Sequence, residues 1–369
     1  MGRRLGIVLL AAAVVLVAAA CVGKKGGNDT DPLPPQNQVL EPTGPVVSLT
    51  APTTTPPATT TAAPTSTTAV STTTTAPTKA AAPAKTPGPP FSVGVVTATY
   101  VDPTRPTGAR GNVAGAPTRT LKTIVRYPSS APVGTPEGAL PPATGPFPLI
   151  VFAHGFNIDT AAYADALRGW AAAGYVVAAP ELPLTSTALP GPTVESDLPN
   201  QPADLGVVIT NVLAASNGPG PFSGVVDPAR IAVVGHSDGG NTVAAMAANS
   251  CCRDPRIKAV VAYAPEQAFF PSTWFGASNP PLLVVHGNAD SITSYSRGKA
   301  IYDGASAPKY LLTVQGGSHL GPLQDAALRA KVDPVVLDFL RAELGPDQAA
   351  LTAMKTAGTV PPLTLTGSP

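Results

Sequence analysis

Ser237 stands in Gly235-His236-Ser237-Asp238-Gly239-Gly240, after the apolar β-branched run Ile231 to Val234 and before an Ala-rich helical pattern from Asn241 to Asn249. Strand, sharp turn, helix is the setting of a nucleophile elbow. Small residues two before and two after the serine avoid clashes across the turn, and the hydroxyl is pushed to the top of a sheet, over a helix N-terminus. A serine hydroxyl attacks only when a base takes its proton, and the base needs a carboxylate to orient it. The chain has four histidines. His236 adjoins the serine and is expected to point away from it, His286 lies inside a strand, and His154 sits in a turn after an earlier strand. His319, in the loop Gln315-Gly316-Gly317-Ser318-His319 after the strand Lys309 to Val314, is the candidate base. The candidate acid is Asp290, on the turn after Leu283-Val284-Val285-His286-Gly287. Asp303 is the runner-up but falls at a helix end, and Asp254 comes too soon after the nucleophile helix.

Such a serine does acyl transfer, which needs donors for a tetrahedral oxyanion. The backbone N–H of Asp238 is one candidate, and that of Phe156, in His154-Gly155-Phe156, is the second. The alternative for the latter is a plain β-turn with a packed phenylalanine.

These residues need a scaffold that brings the loops after several strands to one edge. Phe91 to Val101 and Thr120 to Tyr127 read as an antiparallel pair at a sheet edge. Phe147 to Ala153, Tyr175 to Ala179, Arg230 to Val234, Lys258 to Ala264, Leu282 to His286 and, as the last strand, Lys309 to Val314 are short apolar runs. Between and after them, helical patterns cover 159–173, 202–215, 241–249, 293–302 and, as the last helix of the domain, 333–344. Alternating strands and helices predict a mostly parallel, doubly wound α/β sheet with helices on both faces and its functional loops on one edge. Formal net charge is +1, which points away from nucleic acid as a partner.

Phe152 to Phe156, Gly174 to Pro180, Gly235 to Gly240, His286 to Asp290 and Gly316 to His319 together resemble the α/β-hydrolase fold over residues 147–345, in the chain order Ser, Asp, His. Within it the chain is similar to bacterial dienelactone-hydrolase-like, platelet-activating-factor-acetylhydrolase-like and cutinase-like polyester hydrolases. The resemblance implies carboxylic-ester hydrolysis through Ser237, Asp290 and His319, without metal or cofactor. The polyester-hydrolase subset has Met after the nucleophile where this chain has Asp238, a departure that argues against a polyester. Only Pro265 to Pro280 separates two strands where a lid would sit, so little or no lid is expected. Its aromatics, Phe269, Phe270, Trp274 and Phe275, either border an apolar acyl groove or pack on the domain. Glu181 to Gln201 is a second loop on the functional edge. Two other readings stay open: amide or peptide cleavage on the same triad, and a catalytically silent binding module of the cell envelope.

Met1 to Ala20 has a basic start, an apolar run and small residues before Cys21, the pattern of a signal peptide. Cys21 after the cut resembles a bacterial lipobox, with Ala18 where Leu is usual. Lipidation of Cys21, ordinary cleavage to a secreted protein, and an uncleaved anchor all place the rest of the chain outside the cytoplasmic membrane. Residues 21–90 are rich in Thr, Pro and Ala and too poor in apolar groups to fold, so they read as a disordered tether. The expected division is a signal peptide at 1–20, the tether at 21–90, a catalytic domain at 91–345 and a tail at 346–369 with a short helix from Gln348 to Lys355. Cys251 and Cys252 are adjacent, either disulfide-bonded to each other or a reduced buried pair, and do not match metal-ligand spacing.

Overall fold

The chain is described here as a computed structural model, covering residues 89–369 apart from Ala277 and Pro346. The expected signal peptide, Cys21 and nearly all of the tether lie outside the described residues. β1 (Ser92–Asp102) and β2 (Arg119–Ser129) form a long antiparallel pair, and β2 continues antiparallel onto β4 (Val176–Pro180). β3 (Phe147–Ala153), β4, β5 (Val226–His236), β6 (Ile257–Tyr263), β7 (Leu282–Gly287) and β8 (Lys309–Val314) run parallel. The sheet has nine strands in the order β1-β2-β4-β3-β5-β6-β7-β8-β9, and β9 (Leu363–Ser368) pairs antiparallel with β8. The fold is mixed α/β, with helices flanking a mostly parallel sheet.

The central strands are apolar on both faces because both faces are covered. Alternate residues go to opposite sides. Leu149, Val151 and Ala153 of β3 pack with Leu205, Val208 and Ile209 of α2 (Gln201–Asn217) and with Val243 and Ala244 of α3 (Asp238–Ala248). Ile150 and Phe152 pack with Leu167 and Trp170 of α1 (Ala164–Ala172) and with Val335, Phe339 and Leu340 of α6 (Ala326–Leu344). α4 (Tyr295–Gly304), α5 (Gly321–Gln324) and α7 (Gln348–Ala357) complete the described helices. Among the described residues no helix is long and apolar enough to cross a membrane.

The structure corrects the expected ends of several elements. The last strand is β9, not Lys309–Val314, so the segment read as a tail supplies α7 and the sheet edge. The apolar content of β9 is only Leu363 and Leu365, enough for an edge strand that needs one partner. α6 begins at Ala326 rather than Asp333, because Asp325 caps it by accepting the Leu328 N–H at 2.9 Å. Pro334 removes one backbone donor, while the face carrying Val332, Val335, Val336 and Phe339 stays buried across it. The segment expected as one helix from Asp159 opens as a 3-10 turn, Thr160–Tyr163, before α1. Cys251 and Cys252 form a disulfide with each other.

Candidate active site

The elbow is built by close approach of backbones. A Cβ on Gly235 would fall onto the Gly239 carbonyl, and one on Gly239 onto the Ala153 carbonyl at the end of β3. No other residue type fits either place. Ser237 is left at φ 55° and ψ −120°, a left-handed conformation costing roughly 1–3 kcal/mol. Its N–H donates to Tyr263 O at 2.9 Å and its carbonyl accepts from Asn241 N at 2.8 Å, which ties the turn to β6 and to the first turn of α3. Ser237 is partly exposed. Asp238 is the first residue of α3, so its N–H belongs to the group at a helix start with no intrahelical acceptor.

The turn His154-Gly155-Phe156 lies against the serine: a Cβ on Gly155 would sit 3.2 Å from Ser237 Cβ. Its orientation is set by His154, whose Nε2 accepts the Leu182 N–H at 3.0 Å, so that Nδ1 donates to Gly155 O at 2.7 Å. Burial lowers the pKa of this imidazole, as a fully enclosed neutral ring requires. The neighbouring Asn157 N–H donates to Thr185 O at 3.0 Å.

Asp290 and His319 are brought together. Asp290 Oδ2 and His319 Nδ1 are 2.7 Å apart, with side chains 0% and 9% exposed. Asp290 Oδ1 accepts the N–H groups of Ile292 and Thr293, both at 2.9 Å, and His286 Nε2 lies 3.2 Å from Oδ2. Burial alone would raise the carboxyl pKa; the hydrogen bonds from His286 and His319 outweigh it and hold the group well below the usual carboxylate range.

His236 does more than turn away. Its Nε2 is 3.0 Å from His319 O, which can only accept, so Nε2 carries the proton. Its Nδ1 then accepts from the Tyr163 hydroxyl at 2.9 Å, and that oxygen accepts the Gly155 N–H at 3.2 Å. One chain of hydrogen bonds thus runs from the Gly155 turn through Tyr163 and His236 to the backbone of His319. Burial, with His319 adding to it, pushes His236 down to about 3, so the chain stays neutral. Sequence reasoning missed both Tyr163 and the second role of His236; the only signal was a histidine beside the serine, whose ring direction a sequence does not carry. Asp303, the alternative acid, is exposed and paired with Lys299.

Asp238 is 6% exposed. Its Oδ1 accepts from Asn241 Nδ2 at 3.3 Å and its Oδ2 has no partner. Burial, reinforced by the Glu195 carboxylate, pushes its pKa up to about 7.

Two segments flank these loops. The 181–201 segment is clamped by buried charge. Arg110 donates to the carbonyls of Pro183, Ser186, Gly191 and Pro192, and Arg119, fully buried, pairs with Asp197 and Asp204. In the 265–280 segment Phe270 is buried, and Trp274 and Phe275 pack on the core. Phe269 alone of its aromatics is exposed, at 40%. Three of the four therefore pack on the domain.

Residues 118–270 match the family model described as chlorophyllase. Over 134 residues the chain is 32% identical to chlorophyllase-1 of Arabidopsis thaliana, covering 36% of this chain and 39% of that protein. The match takes in the Gly155 turn and the elbow and ends before Asp290 and His319. A solved ferulic acid esterase from Streptomyces cinnamoneus superposes with a TM-score of 0.54 at 20% identity, covering 72% of this chain and 92% of that one. Over residues 118–270 the chain is therefore related to chlorophyllase, and it shares its fold with a bacterial ferulic acid esterase.

Proposed function

We propose that the chain is a serine hydrolase of carboxylic esters, of the α/β-hydrolase type, working through an acyl-enzyme. The observation that carries this reading is the 2.7 Å contact between Asp290 and His319, on a loop bonded through His236 to the strained turn that presents Ser237. The ester class is supported by the relation to chlorophyllase and by the fold shared with a ferulic acid esterase.

Ser237 Oγ attacks the ester carbonyl carbon while His319 Nε2 takes its proton. Asp290 orients the imidazole and stabilises the imidazolium. The N–H groups of Phe156 and Asp238 hold the oxyanion as it forms. The imidazolium then protonates the departing alkoxide, which leaves as the alcohol. Water enters, gives a proton to His319 and attacks the acyl-enzyme; collapse returns the proton to Ser237 Oγ and frees the acid. No step calls for a metal or cofactor. Cys21, lipidated, would hold the domain outside the cytoplasmic membrane on the 21–90 tether, facing small-molecule or lipid esters of the envelope.

The test is hydrolysis of p-nitrophenyl esters from acetyl to palmitoyl by the full chain beside Ser237→Ala. Ester turnover lost by on the order of 10⁴-fold or more in the mutant, with its melting temperature retained, is expected. Equal turnover in the mutant would overturn the reading. A preference for short chains would indicate a small acyl pocket, and one for long chains an extended apolar groove.

A further inference from the structure

Asp290 Oδ2 faces two imidazoles: His319 Nδ1 at 2.7 Å and His286 Nε2 at 3.2 Å. The side chains of His286 and Asp290 are both 0% exposed. His286 Nε2 is also 3.0 Å from Thr293 O. Both neighbours of Nε2 are acceptors, so it carries the proton: the N–H is bonded to Thr293 O, and Asp290 Oδ2, at 3.2 Å, is a second acceptor beside it. The other ring nitrogen, Nδ1, is buried without a partner. The ring is held in place from α4: a Cβ on Gly298 would fall onto Nδ1, and the Tyr295 ring stands edge-on at 5.7 Å.

We propose that His286 is a positioning residue for the acid: its Nε2–H fixes Asp290 Oδ2 in the direction of His319 and takes up part of the carboxylate's charge. The proposal rests on the triad reading above. Packing alone does not account for an imidazole here. An apolar side chain would fill the space under α4 without leaving Nδ1 unpaired, which costs stability. The Nε2–H, set between Thr293 O and Asp290 Oδ2, offsets that loss. Of the two carboxylate oxygens, the one nearest this N–H is the one that faces the base, while Oδ1 is already fixed by two backbone N–H groups. The groups facing this pair are few: His319 beyond β8, Tyr295 on α4 with its hydroxyl bonded to Thr313, and His236, whose ring lies 4.6 Å from that of His319.

Sharing the charge has a sign. With His286 in place, Asp290 offers less negative charge to His319, so it stabilises the imidazolium less. Without His286 the imidazolium is favoured, and the base is lost to protonation at a higher pH.

The experiment is the pH profile of kcat and kcat/KM on the best p-nitrophenyl ester, with the full chain and four variants. For His286→Leu we expect kcat to fall about tenfold with KM nearly unchanged, and the acid limb of kcat/KM to move to higher pH. His286→Gln, whose amide N–H reaches toward Oδ2, should recover most of the rate and return the limb. Gly298→Ala, which displaces the ring without removing it, should give a partial loss of the same kind; it and His286→Gln decide the matter if His286→Leu does not fold. A folded His286→Leu with the wild-type rate and limb, or with a lower rate but an unmoved limb and no recovery by Gln, would overturn the proposal. Asp290→Asn run in parallel separates the two readings: a wild-type rate there would sink the triad itself.

Discussion

At Ser237, backbone meets backbone: Gly235 lies against Gly239, Gly239 against Ala153, and the serine is forced to a positive φ between them. At Asp290, polar atoms meet: its carboxylate receives two backbone N–H groups and faces two imidazoles. The first arrangement is enforced by exclusion and owes nothing to charge. The second is enforced by hydrogen bonds, so its strength depends on which groups hold protons. Damage to the first should therefore be independent of pH, and damage to the second should show in pH profiles. The chlorophyllase match spans the first region and stops before the second.

Gly239→Ala is the harshest way to test exclusion. The added Cβ meets the Ala153 carbonyl, which belongs to the central strand and cannot yield. We expect a loss of about 1–3 kcal/mol in stability and of essentially all ester turnover, by urea titration and p-nitrophenyl ester assay, at every pH. Unchanged stability would mean that the elbow has room to move. Asp290→Asn tests the other side. The amide offers His319 an N–H as readily as an acceptor, so the base loses its tautomer, and kcat should fall by roughly 10³–10⁴-fold. The native carboxyl is held below its ordinary range, so the folded state binds fewer protons there, and the stabilisation is lost as the pH falls through and below that range. In Asp290→Asn that part of the acid dependence of the melting temperature should vanish.

Tyr163→Phe cuts the hydrogen-bond chain that joins the two regions. It leaves the Gly155 N–H and His236 Nδ1 without partners, which should cost about 1–3 kcal/mol. A kcat lowered with little change in KM would locate the effect in alignment rather than binding; an unchanged kcat would mean the two sides are positioned independently.

The smallest effect on turnover is expected at Asp238, a buried carboxyl on the elbow side. Its pKa is raised to about 7 by burial and by Glu195. The folded state thus binds a proton that the unfolded chain releases at ordinary carboxylate pH, and stability declines as the pH rises from about 4 toward 7. Asp238→Asn should melt higher than the parent at pH 8 and alike at pH 4. Equal melting temperatures at both values would show that the carboxylate finds a partner when ionised.

The two regions also differed in how far the sequence disclosed them. The Gly-x-Ser-x-Gly pattern carries its own geometry, because glycines two residues either side of a serine, between a strand and a helix, have few other uses. Asp290 and His319 were legible only as positions, from chain order and from elimination among four histidines. The direction of a ring is not written in chain order, which is why His236 and His286 passed for bystanders. Tyr163 was hidden in a turn read as helix. Among the elements, the parallel strands declared themselves as short β-branched runs. β9 did not, since two leucines among threonines in Leu363–Ser368 suffice only at an edge. The start of α6 was obscured by Asp333-Pro334, which reads as a helix beginning but lies inside one.

The central claim is that Ser237 is the nucleophile and that Asp290 and His319 activate it. The most direct measurement is labelling of the full chain with a fluorophosphonate, followed by mass analysis of its peptides. A single adduct on the peptide containing Ser237, absent in Ser237→Ala and formed far more slowly in His319→Ala, is the result this account predicts. A folded wild-type chain that takes no label, or takes it on another residue, would contradict it.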